Sequence, residues 1–381
     1  MRVTCERDEH VNKILFVATV DQHILHFHVP FLKWFNENGF EVHVASHGDN
    51  EIPYVSKKYN IPFSRNPIKL KNYTAYKELR KLIKTNNYRL IHCHTPTGGV
   101  LTRLASKQSR KKGSKVLYTA HGFHFFKGAP LKNWLIYYPI EKWLSKYTDS
   151  IITINEEDYR RITRGKFKSQ KIDLVHGVGV DLSLFKPQTE EVKRELRSKY
   201  GFNSNQFLLL YVAELSHRKN HEILIRAVSD LKDKIPNMKL LLAGKGNCEY
   251  ELKKLTEQLE VDEYIEFLGY RNDINNLMLL SDVAVSSSKQ EGLPVNIMEA
   301  MASGLPLVVS NCRGNRDLVI NNKNGYLVKD NNTEGFVKAI NEIFNSKELR
   351  NEFGFRNRTL IQQYSLDKIL ESMIHLYKEN L

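Results

Sequence analysis

The sequence predicts an α/β protein of two Rossmann-like domains, each a parallel sheet with helices on its faces. Three observations lead there. The chain has 381 residues, too many for one ordinary core and well suited to two. Short apolar runs alternate with longer helical patterns from end to end, which is how parallel sheets read. A Gly-bearing stretch ending in Pro, His176–Gln188 (HGVGVDLSLFKPQ), separates two such series.

In the first series strands are expected at Lys13–Ala18, Glu41–Ala45, Leu90–Cys93, Val116–Thr119, Ser150–Ile154 and Lys171–Leu174. Helices fall between them, for example Pro30–Asn38 and Ala75–Thr85. The second series has strands at Phe207–Val212, Lys239–Ala243, Ile265–Leu268, Val283–Ser286, Leu305–Ser310 and Tyr326–Val328. A helix opens near Pro294 and stops at Gly304, a natural left-handed terminator. The domains are then 1–180 and 181–364, followed by a helical segment, Ser365–Leu381. Open parallel sheets bind ligands beyond the carboxyl ends of their strands. Loops facing across a cleft between the two sheets should therefore carry the chemistry.

Composition supports a folded soluble protein, with 41% hydrophobic and 26% charged residues. No apolar run approaches the roughly 18–20 residues of a membrane span. The first residues, MRVTCERDEHVNK, are polar and mixed in charge, unlike a signal peptide. Cys5, Cys93, Cys248 and Cys312 are scattered without a CxxC pair, which suits a reducing cytoplasm and offers no zinc site.

The net charge of +14 lies in the first half: residues 1–180 hold 30 Lys/Arg against 15 Asp/Glu, and the remainder 27 against 28. Such a surface attracts polyanions: nucleic acid, anionic membrane or a diphosphate-linked substrate. No nucleic-acid motif is present, so no nucleic-acid partner is expected. Phe123–Tyr147 interleaves Phe, Trp and Tyr with four lysines. That pattern suits a peripheral contact with an anionic leaflet. Arg110, Lys111, Lys112, Lys127, Lys132 and Trp134 are the candidate membrane-surface residues. A helix packed on the sheet with solvated lysines is the plainer alternative.

The chemistry-bearing string is Glu291-Gly-Leu-Pro-Val-Asn-Ile-Met-Glu299, running on into Ala-Met-Ala-Ser-Gly-Leu-Pro. Glu291 precedes a helix start, where free N–H groups and the dipole favour an anion. Glu299 lies inside that helix, where it could accept hydrogen bonds from a ribose. Glu214-Leu-Ser-His-Arg218-Lys219-Asn follows a strongly apolar strand. Cations at a helix start oppose the dipole, which points to a ligand for Arg218 and Lys219. Leu241-Leu-Ala-Gly244-Lys-Gly is a tight strand-to-helix turn without the third glycine of a dinucleotide fingerprint. There is no Walker A string and no Asp-x-Asp triplet. Side-chain cations are thus expected to take the place of a diphosphate-bound metal.

Together these strings resemble the Glu-x7-Glu signature of retaining glycosyltransferases of family 4, with the GT-B fold. The likeness extends over nearly the whole chain, including HGVGVDLSLF at the domain junction. AELSHRKNH and TAHGFHFF most resemble bacterial capsule and exopolysaccharide glycosyltransferases. The resemblance implies that Glu291 contacts the transferred sugar and Glu299 the ribose. It implies that Arg218 and Lys219 grip the diphosphate, joined by Gly244, Gly292, Leu293 and Asn296, while Tyr270 and Arg271 back the base. His121 would line the reacting face, making His121 and Glu291 the catalytic candidates. Asp21, His94, Gly98, Gly99 and His124 would serve the acceptor. The last helix would cross back to the first domain.

Two departures stand out: Glu214 replaces a usual Arg, with pairing to Arg218 as its expected outlet, and Thr19–His23 lacks the usual Gly-rich loop. The histidines have no acidic or cysteine partner at metal spacing, so neither metal nor cofactor is expected. The resemblance implies sugar transfer from a nucleotide-diphosphate donor, such as a UDP-N-acetylhexosamine, to a polyprenyl-diphosphate-linked acceptor. The place would be the inner membrane face. The alternatives are a GT-B sugar-nucleotide epimerase or hydrolase, or a non-catalytic sugar-nucleotide-binding subunit.

Overall fold

The computed structural model describes residues 12–66 and 69–381; Cys5 lies outside them. The chain forms two compact units, Met1–Val178 with Leu370–Leu381, and Gly179–Ile369. In the first, seven strands form one parallel sheet: β1 Lys13–Val20, β2 Glu41–His47, β3 Lys57–Asn60, β4 Leu90–His94, β5 Lys115–Ala120, β6 Ser150–Thr153 and β7 Lys171–Leu174. Their order is β3-β2-β1-β4-β5-β6-β7. The sequence reading missed β3 because KKYN has no apolar run. It is an edge strand, and edge lysines discourage further pairing.

The second unit holds a parallel six-stranded sheet: β8 Phe207–Val212, β9 Met238–Ala243, β10 Ile265–Gly269, β11 Val283–Ser286, β12 Leu307–Ser310 and β13 Gly325–Val328. The order is β10-β9-β8-β11-β12-β13. Both sheets therefore reverse direction of growth beside their first strand, between β1 and β4 and between β8 and β11. Crevices outside the carboxyl ends of such strand pairs are where open α/β sheets bind ligands.

Strand alternation sets what each face carries. On β4, Ile91 and Cys93 enter a core with Leu15, Val17 and Tyr118. His92 and His94 point to the opposite face, where Phe16 lies 5.4 and 6.0 Å from their rings. The terminal helix, Leu366–Glu379, contributes Tyr377 to that face. Its hydroxyl and His92 Nδ1 share a 2.9 Å hydrogen bond, which ties the end of the chain to β4.

Candidate functional site

In the second unit, β8 leads into Ala213–Asn220 and β11 into Ser287–Glu291. These neighbouring strand ends bring Lys219 and Glu291 together, with Lys219 Nζ 2.5 Å from Glu291 Oε1. Arg218 Nη1 sits 3.6 Å from Glu291 Oε2 and donates to the Gln290 carbonyl at 3.1 Å. The expected pairing of Arg218 with Glu214 is thus corrected: Glu214 is exposed, and Glu291 takes the guanidinium. The physical reason is topological, since Glu291 arrives from the adjacent strand end and is buried beside two cations.

The Glu291 loop is held from behind. Buried Arg313 donates from Nε to the Glu291 carbonyl at 2.9 Å. Gly314 has φ +80°, and a Cβ there would stand 2.4 Å from the Gly292 carbonyl oxygen. The sequence reading missed Arg313; only its position after β12 could have signalled it, since burial is invisible in one sequence.

Beyond this loop the helix Val295–Ala302 starts after Pro294, and Gly304 stops it with φ +78°. Leu293 is buried; Gly292 and Asn296 are half-buried. Glu299 lies on the same helix; its carbonyl accepts from Ser303 N–H at 3.0 Å, while its carboxyl has no hydrogen bond or ion pair among the described residues, and burial pushes that carboxyl up to about 8. A carboxyl so placed gains from hydroxyl donors.

The loops after β8, β9 and β10 are zipped together. Leu215 N–H donates to the Lys245 carbonyl at 3.1 Å, and Gly244 N–H to that of Gly269 at 2.8 Å. A Cβ on Gly244 would come within 1.9 Å of the Ala213 carbonyl oxygen, so the close approach requires glycine there. Tyr270 is exposed. The Arg271 guanidinium beside it grips Asp273, with Nε 2.8 Å from Oδ1, and holds that carboxyl down to about 2.

In the first unit, β1, β4 and β5 end at a histidine cluster. His23 Nε2 lies 3.2 Å from His121 Nε2, which lies 3.4 Å from His94 Nδ1. His28 stacks on His94 with centroids 3.7 Å apart. Burial, then the neighbouring imidazoles, hold His23, His28 and His94 well below the usual histidine range. Burial also brings His121 down to about 4. The cluster therefore carries no charge near neutrality. His28 was not singled out from sequence, although DQHILHFH places it five residues after His23.

The acceptor-side candidates take distinct places in the first unit. Asp21 is fully buried; burial alone would raise its pKa, but Lys58, Ser46 and the Asn50 N–H lower it. Lys58 Nζ stands 2.7 Å and Ser46 Oγ 2.6 Å from its carboxylate, so Asp21 ties the β1 end to β2 and β3. Gly98 and Gly99 are buried in the helix Pro96–Ala105. A Cβ on Gly98 would meet Thr95 Oγ1 at 2.9 Å, and one on Gly99 the Tyr118 ring at 2.4 Å. They let that helix approach the sheet. His124 stacks on Tyr137 at 4.6 Å. Both line a cavity of about 830 Å³, along with Phe27, Arg65, Thr97 and Ile140.

The membrane-surface candidates divide between inward and outward sides around the helix Leu131–Leu144. Buried Glu141 pairs with buried Arg103 at 2.8 Å. Trp134 packs inward near Phe125 and under the Arg161 guanidinium, so it is no surface anchor. The outward side carries Leu131 (72% exposed), Leu135 (69%), Ile136, Ile140 and Trp143. Lys107 and Lys146 lie over Tyr147 at 4.1 and 4.9 Å. Arg110 is bound in a fork to Asp149, Nε 2.8 Å from Oδ2, whereas Lys111, Lys112, Lys127 and Lys132 are exposed. Among the described residues, no helix is long and apolar enough to cross a membrane.

Residues 192–359 match the family described as glycosyl transferases group 1, and residues 13–155 the one described as glycosyl transferase 4-like. EpsD of Bacillus subtilis, a glycosyltransferase by name, is 44% identical over 96% of both chains. The UDP-Gal:α-D-GlcNAc-diphosphoundecaprenol α-1,3-galactosyltransferase of Escherichia coli is 29% identical over 82% of this chain and 81% of its own. The crystal structure of Anabaena HepE in complex with UDP and glucose superposes with a TM-score of 0.79 at 19% identity, covering 96% and 99% of the two chains.

Proposed function

From the premise that the chain belongs to the group 1 and 4-like glycosyltransferases, with the GT-B fold, we propose the following reaction. The enzyme moves a hexosyl unit from a UDP-sugar, such as a UDP-N-acetylhexosamine, to a polyprenyl-diphosphate-linked acceptor, with retention and without a metal at the diphosphate. The setting is exopolysaccharide synthesis at the inner membrane face. The observation that carries this reading is the cluster of Arg218, Lys219 and Glu291 at the start of the Val295–Ala302 helix. Two cations share one carboxylate there, leaving a positive balance beside free helix N–H groups. An arriving diphosphate replaces Glu291 as the partner of the cations, and Glu291 turns to the sugar hydroxyls. Glu299, whose carboxyl lacks a partner among the described residues, takes the ribose hydroxyls.

Chemistry follows from charge. As the glycosidic bond to the donor phosphate breaks, negative charge builds on the diphosphate, and fixed cations stabilise it more than they do the ground state. With the donor bound, Glu291 is turned to the sugar hydroxyls, so it orients the sugar and does not serve as a covalent nucleophile. Retention then favours attack on the same face as the leaving phosphate, which receives the acceptor proton. His121, kept neutral, lines that face.

The Escherichia coli galactosyltransferase and a Campylobacter jejuni N-acetylgalactosaminyltransferase, 26% identical over 96% of this chain, are both named for diphosphoundecaprenol-linked acceptors, which supports the acceptor class. The UDP in the HepE structure supports the donor base. The outward apolar side of the helix Leu131–Leu144, flanked by lysines, supports contact with an anionic leaflet. The test is mass spectrometry of the protein incubated with UDP- and GDP-sugars, with and without lipid-linked acceptor and with chelator throughout. A new lipid-linked product from a UDP-sugar is expected. Donor hydrolysis or epimerisation alone would transfer the case to the other enzyme classes.

A further inference from the structure

The histidine cluster of the first unit has more nitrogen than its hydrogen bonds use. Both ring nitrogens of His28 and Nε2 of His94 are buried without a hydrogen-bond partner among the described residues. Leaving buried polar atoms unpaired is costly, and each one calls for an explanation. The hydrogen bonds among His23, His121 and His94 leave His28 untouched.

We propose that His23, His28, His94 and His121 form a binding site for one borderline-soft divalent transition ion, with Zn²⁺ the best fit. One ligating nitrogen from each lies within 4.8 Å of those of the other three. The His23–His121 and His121–His94 nitrogen separations are 3.2 and 3.4 Å. A tetrahedral ion with metal–nitrogen bonds of about 2.0–2.1 Å has nitrogen–nitrogen edges of about 3.3–3.4 Å, so two edges already have that length. His28 completes the set by turning out of its stack on His94, which brings one of its two unpartnered ring nitrogens to the ion. An all-imidazole set excludes Mg²⁺ and Ca²⁺, which want oxygen, and suits Zn²⁺, Co²⁺, Ni²⁺ or Cu²⁺.

The support behind the ligands is that of a built site. His94 ends β4 and His121 follows β5, while His23 and His28 come from the helix Asp21–Phe27 and its carboxyl cap. His92, fixed by Tyr377 and by Thr119 Oγ1 at 2.8 Å, packs against His94 with ring centroids 4.1 Å apart. Phe16, Phe27 and Phe31 wall the rings. His23 and His121 remain half-buried, which leaves an approach for the ion. Spacing along the chain could not reveal the set, because its ligands come from three separate segments.

The inference does not need the proposed reaction, and its test uses neither donor nor acceptor. Untagged protein, stripped with chelator, is titrated with Zn²⁺ against a chromophoric competitor, and with Co²⁺ while visible absorption is recorded. One equivalent of Zn²⁺ and the intense spectrum of tetrahedral Co²⁺ are expected. His28→Phe, which keeps the ring packing, and half-buried His23→Gln should each weaken Zn²⁺ binding by at least about a hundredfold, since second-shell changes alone cost about 10–100-fold. Circular dichroism of both variants checks that they fold. His217→Gln, at the more exposed trio His217, Cys248 and Glu251, should leave the affinity unchanged. Loss of binding only in His217→Gln, unchanged affinity in the folded His28 and His23 variants, or a weak octahedral Co²⁺ spectrum would overturn the site.

Discussion

Replacing Glu299 by Gln separates stability from function at one carboxyl. Burial raises this group from 4.5 to about 8 in the folded protein. In the unfolded chain it ionises near 4.5, so between 4.5 and 8 the unfolded state loses a proton that the folded state keeps. The favourable balance below 4.5 is therefore eroded as pH rises, and it levels off above about 8. Each pH unit in that window costs about 1.4 kcal/mol, which gives an upper value of about 3 kcal/mol at pH 7. Glu299 keeps part of its surface open, which brings the expected gain in Glu299→Gln to about 1–2 kcal/mol.

Ribose hydroxyls donate to a carboxylate, so nucleotide binding should expel the proton and tighten as pH rises towards 8. Charge-assisted hydrogen bonds of about 1.5–3 kcal/mol imply that the Gln variant binds UDP about tenfold or more weakly. Thermal melts from pH 5 to 9 and calorimetry in two buffers of different ionisation enthalpy measure both effects. A variant no more stable at pH 8 than at pH 5, relative to wild type, would refute the buried-carboxyl argument. Unchanged UDP affinity would refute the ribose assignment.

Glu291→Gln frees Lys219 and Arg218 and removes a sugar contact, so turnover should fall by about a hundredfold or more with a smaller change in UDP affinity; steady-state kinetics beside calorimetry separates the two. Changing Leu135, Ile136 and Ile140 together to Ser should abolish co-sedimentation with anionic vesicles at unchanged UDP affinity. Arg110→Ser should instead lower stability by about 3 kcal/mol, because Asp149 loses its forked partner, as a denaturant melt will register. Asp21→Ala should cost about 3 kcal/mol by stranding Lys58, while the acceptor KM of the surviving folded protein stays unchanged.

Alternating apolar runs and turn residues determined most of the fold on their own. Strand periodicity and glycine or proline punctuation are local, so twelve of the strands could be read, and the edge strand KKYN could not. The Glu291–Glu299 string and the Arg218–Lys219 pair were legible because their chemistry depends on short spacings. Tertiary structure decided what required distant segments to meet. It gave Arg218 to Glu291 rather than Glu214, made Asp21 and Arg110 braces, and turned Trp134 inward while Leu135 faced out. It also gathered His23, His28, His94 and His121, which lie up to 98 residues apart. The physical reason is common to all of these. A side chain's charge and shape are written in the sequence, but its partner and its solvation are set by which strand ends the sheet order makes neighbours.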